Sequence, residues 1–196
     1  MKTIKDNVET QLIINKSKFI GIMISVSDIN EIKLIIKQLK LKYPDATHYC
    51  YAYIIDNFSK ASDDGEPSGT AGIPILNVLK KENLTNVLCV VIRYFGGTKL
   101  GSPGLIRAYS KITTTALKTA IIGKLIPGLE ITITFNYDVD KIIDYIIKNA
   151  LIKEALYNEE ITYTFDISVE EFNIIYHELQ ANTNTIYTNK NIFIFK

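Results

Sequence analysis

At 196 residues the chain has room for one large domain or two small ones, and its 47% apolar and 22% charged residues exclude a disordered chain. Its first ten residues alternate charged with apolar side chains and lack the apolar core of a signal peptide, and the longest apolar run, 87–92, is too short for a bilayer, which predicts a cytoplasmic protein. A net charge of +1 excludes binding by bulk charge alone, yet residues 1–82 hold eleven basic and ten acidic side chains, 83–129 six basic and no acidic, and 130–196 five basic and eleven acidic.

In chain order, Val8–Ile14 and 18–24 alternate or run apolar about a polar turn at Asn15, Lys16 and Ser17, the pattern of a β-hairpin. Asp28 reads as an N-cap; Ile29, Ile32, Ile35, Ile36 and Leu39 follow at helical spacing, and the helix stops before Pro44. The alternation of Tyr49, Tyr51 and Tyr53 predicts a strand over His48–Ile55, followed by a glycine-rich loop. A short helix is expected over 75–81, and Val87–Tyr94, β-branched and apolar, predicts a strand buried on both faces. Leu105, Ala108, Ile112, Ala116 and Leu117 mark a helix to about residue 121. Cys50 and Cys89, both in strand-like runs, read as buried thiols rather than a disulfide or a metal pair.

Residues 123–128, with Pro127 between two glycines, read as a boundary separating a first domain, 1–122, from a second, 129–196. Beyond it the pattern is a strand over 129–135, a helix from Val139 to 148, strands over 151–156 and 161–167, a helix over 169–179 behind Ser168, and a strand over Thr185–Phe195. That order, βαββαβ, predicts a ferredoxin-like sandwich, and the fold class expected of the whole chain is α+β.

Two segments, 62–72 and 93–104, hold seven of the ten glycines, mixed with carboxylates, hydroxyls and cations. Glycine admits positive φ and lets another molecule approach the backbone N–H groups. In the first segment Asp63, Asp64 and Glu66 suit a Mg²⁺ ion held through waters, or merely the turn chemistry that Asp and Gly favour, with Gly65, Ser68, Gly69 and Thr70 completing the loop. In the second, Arg93, Tyr94, Gly96, Gly97 and Lys99 set a guanidinium, an aromatic ring and an ammonium around approachable backbone. Arg107 and Lys111 share one helical face, with Tyr109 and Ser110 beside them, a set that suits phosphate and base stacking. The bland alternative is that Arg93 pairs with Asp63 or Asp64 and ties the loops together.

No phosphate-loop motif, dinucleotide fingerprint or nucleophile elbow occurs, and the histidines are His48, on a strand, and His177, on a helix of the second domain. His48 would serve as a general base only if a loop serine reached it. The reading therefore names no catalytic residue, no bound metal and no cofactor.

Residues 63–76, 90–101 and 104–110 closely resemble the YigZ/IMPACT family, over about residues 15–120 for the IMPACT domain, and the βαββαβ tail is similar to the family's bacterial C-terminal domain. The resemblance implies a first domain of the ribosomal-protein-S5 second-domain type, a second like the last domain of elongation factor G, and work on translation, since the eukaryotic relatives regulate it under stress. One departure is Pro103 before Gly104, where the family has two glycines; proline removes an N–H that a ligand would otherwise use. The function expected is a non-catalytic protein that binds RNA, the ribosome or a translation-associated protein, with no membrane role. The rival expectation is a Mg²⁺-dependent enzyme acting on a phosphate-bearing small molecule.

Overall fold

The computed structural model describes residues 2–137 and 140–196. The elements run β1 (Lys2–Ile4), β2 (Val8–Ile14), β3 (Ser17–Ser25), α1 (Ile29–Lys42), β4 (His48–Ile55), β5 (Phe58–Ser62), α2 (Gly72–Lys81), β6 (Val87–Tyr94), α3 (Gly101–Thr119), β7 (Ile122–Phe135), α4 (Asp140–Asn149), β8 (Leu151–Tyr157), β9 (Ile161–Ser168), α5 (Val169–Asn182) and β10 (Thr185–Phe195). The architecture is mixed α+β with two antiparallel sheets, and its contacts divide it into two units after Gly123.

In the first unit the sheet order is β2-β3-β6-β4-β5. β6 occupies its centre and is buried on both faces, as its unbroken apolar run predicts: Val87, Cys89 and Val91 face α2 and α3, while Leu88, Val90 and Ile92 face α1. Each such side chain, fully buried, contributes about 1.5–3 kcal/mol, so the strand that delivers Arg93 to the sheet's end is rigidly held. α1 starts where expected, with Asp28 Oδ1 accepting from Asn30 N–H at 2.9 Å.

Several elements differ from the sequence reading for identifiable reasons. The turn after β2 is a two-residue one, Asn15 and Lys16, both at positive φ, so Ser17 is a buried strand residue and not part of the turn. β5 was not expected; it is an edge strand, mostly exposed, entered through Asp56 at positive φ. α2 begins three residues before the expected 75, and α3 four before Leu105; Pro74 and Pro103 fall in the first turns, where a missing N–H breaks no helical bond. β1 was also missed: three residues too short for a pattern, it buries Ile4, and its Lys2 carbonyl accepts from Thr85 N–H at 2.9 Å.

The segment 123–128, read as a boundary, lies within the continuous strand β7. β9 joins β7 only from Gly128 onward, so Pro127 lies outside the stretch that β9 pairs. In the second unit the order is β10-β7-β9-β8, with α4 and α5 packed on Ile131, Ile133, Phe135, Phe165 and Ile167. The alternate residues face away from the helices, and there Thr132 meets Thr164 at 3.0 Å. Ser168 caps α5, its Oγ accepting from Glu171 N–H at 3.2 Å. The expected helix start at Val139 lies outside the described residues. Among the described residues no helix is long and apolar enough to cross a membrane.

Candidate functional site

The first glycine-rich loop, residues 63–71, joins β5 to α2. Ala71, at the N-cap of α2, has no side chain able to cap it, and Asp63 does the work from eight residues upstream. Its Oδ1 accepts from Gly72 N–H at 2.8 Å and Ala71 N–H at 3.0 Å, and its Oδ2 from Gly69 N–H at 2.9 Å. Burial opposes ionisation, but the three N–H donors outweigh it and hold the Asp63 carboxyl below its ordinary value. The fold-back requires glycine at 72, because a Cβ there would lie 2.6 Å from Ser62 N. Asp64 turns the other way: its Oδ2 accepts from Tyr49 N–H at 2.7 Å, and Lys40 Nζ stands 3.8 Å from its Oδ1. Thr70 is buried and its hydroxyl donates to the Pro67 carbonyl at 2.7 Å, whereas Gly65 and Ser68 are exposed.

Glu66, the third carboxylate, is buried and reaches the end of β6. Its Oε1 accepts from Arg93 Nη1 at 2.6 Å and from the Tyr109 hydroxyl at 2.8 Å. The Arg93 guanidinium sits between the rings of Phe19 and Phe95, 5.4 and 5.5 Å from their centroids, and its Nη2 donates to Ser17 Oγ at 3.3 Å. The same Ser17 Oγ accepts from Gly96 N–H at 3.2 Å. Gly96 passes so close to the β2–β3 turn that a Cβ would lie 2.0 Å from Lys16 C. Tyr109 is fully buried, edge-on to Phe19, and its oxygen is 3.3 Å from Cys50 Sγ. Burial pushes the Cys50 thiol up to about 12, with Tyr109 opposing, which leaves it an inert thiol at neutral pH.

These contacts correct two expectations. Arg93 does tie the loops together, but through Glu66 and not through Asp63 or Asp64, whose oxygens are engaged by backbone amides and, at Asp64, by Lys40. Nor do Asp63, Asp64 and Glu66 converge to share a Mg²⁺ ion: each is held by a different set of donors, and among the described residues no group of three His, Cys, Asp or Glu is placed to hold a metal. His48 meets the Asp64 carbonyl through Nδ1 at 2.9 Å, and its Nε2 lies 3.8 Å from Glu66 Oε2, so it faces these groups and not a serine.

The remaining residues separate by side of the fold. Tyr94 donates its hydroxyl to the Pro44 carbonyl at 3.1 Å. Tyr109, expected beside Arg107 and Lys111, turns into the core while those two cations point to solvent, with Ser110 half-buried between. Gly97, at φ +80°, and Lys99 are exposed in the second loop. Neither α2 nor α3 carries an acidic residue, and their Lys80, Lys81, Arg107, Lys111 and Lys118 are all exposed. A recess of about 330 Å³ opens between the two loops, lined by Glu66, Arg93, Phe95, Lys99, Ser102 and Leu105 among others. Ser17, Phe19, Phe95 and Ser102 are not among the site residues expected from the sequence; a serine read as part of a turn and one before a proline give no signal beyond loop chemistry.

A family model described as the Impact N-terminal domain matches residues 15–117. The IMPACT family member YvyE of Bacillus subtilis is 49% identical over 118 residues, 59% of this chain and 54% of that protein. The IMPACT family member YigZ of Escherichia coli is 34% identical over 129 residues, 63% of each chain. The matches thus span less than two thirds of these relatives' own length. A solved structure described only as that of a hypothetical protein is similar over 96% of this chain and 97% of its own, with a TM-score of 0.63 and 25% identity.

Proposed function

The chain belongs to the IMPACT family, and from that membership and the surface of α2 and α3 we propose that it is a cytoplasmic, non-catalytic binding protein of the translation apparatus that grips RNA phosphates. The observation that carries this reading is the α2 and α3 layer of the first unit, which exposes Lys80, Lys81, Arg107, Lys111 and Lys118 with no carboxylate on either of these helices. Cations with no ion pair among the described residues remain available to phosphates, whereas Arg93 is buried with Glu66 and supports the loop from within. Lys99 extends the same charge toward the second loop.

The finer fold assignment belongs to the same proposal. The first unit is a ribosomal-protein-S5 second-domain-like sandwich. The order β10-β7-β9-β8 with two helices on one face supports a ferredoxin-like second unit. The likeness of this pair to the last two domains of elongation factor G, implied by the family resemblance, is analogy and sets only the choice of partner.

The test is co-sedimentation with ribosomes and filter binding of single-stranded RNA across a salt series. Affinity is expected to fall steeply with salt, with a log–log slope of about −0.7 per phosphate contact. The double variant Arg107→Ala, Lys111→Ala should bind more weakly at every salt concentration. RNA binding that neither salt nor this variant alters, or none in the unmodified protein, overturns the reading.

A further inference from the structure

We propose that the recess between the two glycine-rich loops receives the phosphate of a 5′-phosphorylated nucleotide, held by Lys99, the amides of the first turn of α3 and the edge of Arg93. The inference rests on the RNA reading only where that nucleotide is the end of an RNA strand; a free nucleotide offers the same chemistry.

The recess combines apolar walls with a few convergent polar groups, the make-up of a ligand site. Pro67, Phe95, Leu100 and Leu105 supply the apolar surface, and Phe95, at 46% exposure, leaves an aromatic ring free for a base. Its polar lining is Arg93, Lys99, Ser102 and Glu66. The Glu66 charge does not repel an anion there, being already neutralised by Arg93 at 2.6 Å and hydrogen-bonded by Tyr109. Lys99 has no acidic partner among the described residues, so the balance of charge facing the recess is positive.

Two independent features place residues with unpaired donors on the wall of this space. The first is α3, whose 19 residues start at Gly101 and Ser102 on the recess wall; Leu100 at its N-cap offers no side-chain acceptor, and the amides meet the positive end of the helix dipole. Pro103 has no N–H, so the amides of Gly101 and Ser102 carry this role. The second is Arg93, itself on the recess wall: its side chain is 5% exposed, Nη1 and Nη2 are occupied, and Nε is buried without a hydrogen-bond partner among the described residues. A buried donor of a cation left unpaired is costly, and an acceptor reaching that edge of the guanidinium removes the cost.

Isothermal titration of the full chain at fixed ionic strength tests the proposal with adenosine 5′-monophosphate, adenosine, inorganic phosphate, and one short RNA bearing either a 5′-phosphate or a 5′-hydroxyl. Adenosine 5′-monophosphate is expected to bind, inorganic phosphate to compete with it, and adenosine to fail. Lys99→Ala should weaken binding about tenfold, and Ser102→Glu, which sets a carboxylate against the first-turn amides, should abolish it. Both positions are exposed, and thermal melts verify that the variants fold. Preference for the 5′-phosphorylated RNA assigns the site to strand ends; binding of the mononucleotide without any RNA assigns it to a free nucleotide and removes the RNA reading. Equal binding of the two RNAs with no mononucleotide bound, or mononucleotide binding indifferent to both substitutions, overturns the recess while leaving the cationic face standing. No binding of any probe overturns both.

Discussion

The two glycine-rich loops share their glycines and do opposite things. In the first, Asp63, Asp64 and Glu66 all turn inward, onto the amides of α2, the amide of Tyr49 and the guanidinium of Arg93. In the second, Arg93 and the backbone do the inward work, the latter through Gly96 against Lys16 and Ser17, while Phe95, packed on Arg93, and Lys99 keep exposed side chains. Charge in a loop is therefore poor guidance to contact with a partner until its internal demand has been met: an uncapped helix takes Asp63, the Tyr49 amide with Lys40 takes Asp64, and a buried arginine takes Glu66.

The comparison is broken most forcefully at the tie between the loops. Glu66→Ala or Arg93→Ala leaves a buried charge without its partner, and about 3–5 kcal/mol of stability should be lost in urea melts. A loss under about 1 kcal/mol would show that the inward contacts do not hold the loops. Next in size is Asp63→Asn, which keeps one accepting oxygen and loses the ionised cap; about 1–2 kcal/mol should go at neutral pH. Because the folded pKa of Asp63 is lowered, its contribution is present above the unfolded value of about 3.9 and disappears as pH falls through the lower folded one. Melts at pH 7 and pH 3 should therefore differ less for Asp63→Asn than for the unmodified chain, and an unchanged difference would remove Asp63 as a cap. Tyr109→Phe takes away one donor to Glu66 and should cost about 1 kcal/mol.

Much of the frame was legible because it rests on patterns that packing enforces. β6 could be read from its unbroken apolar run, and α1 from its cap and spacing. β5 could not, since Phe58, Ser59, Lys60, Ala61 and Ser62 form an edge strand with no apolar alternation to betray it. The start of α3 was hidden by Ser102, Pro103 and Gly104, which read as loop although a first helical turn accepts all three. At the site, glycines and cations stood out, but nothing in the spacing says which of three neighbouring carboxylates meets an arginine 27 positions away. That choice follows from the fold-back at Gly72, which commits Asp63 to the helix and leaves Glu66 facing the end of β6. Ser17 was read as a turn residue for a related reason: only the two-residue turn, with Asn15 and Lys16 both at positive φ, moves it into the strand beneath Arg93.

The smallest expected effect on stability sharpens the contrast from the other side. Arg107 and Lys111 are exposed on α3 and form no ion pair among the described residues, so replacing both by alanine should leave the unfolding free energy within about 0.5 kcal/mol. Alanine is if anything a better helix former than either, so no helical penalty offsets that expectation. If RNA affinity falls for this double variant while its melt is unchanged, stability and binding reside in different charges of the same unit: the inward set, Asp63, Glu66 and Arg93, builds the loops, and the outward set meets the partner. A melt that falls with the affinity would mean instead that the outward cations are structural, and the division between the two sets would dissolve.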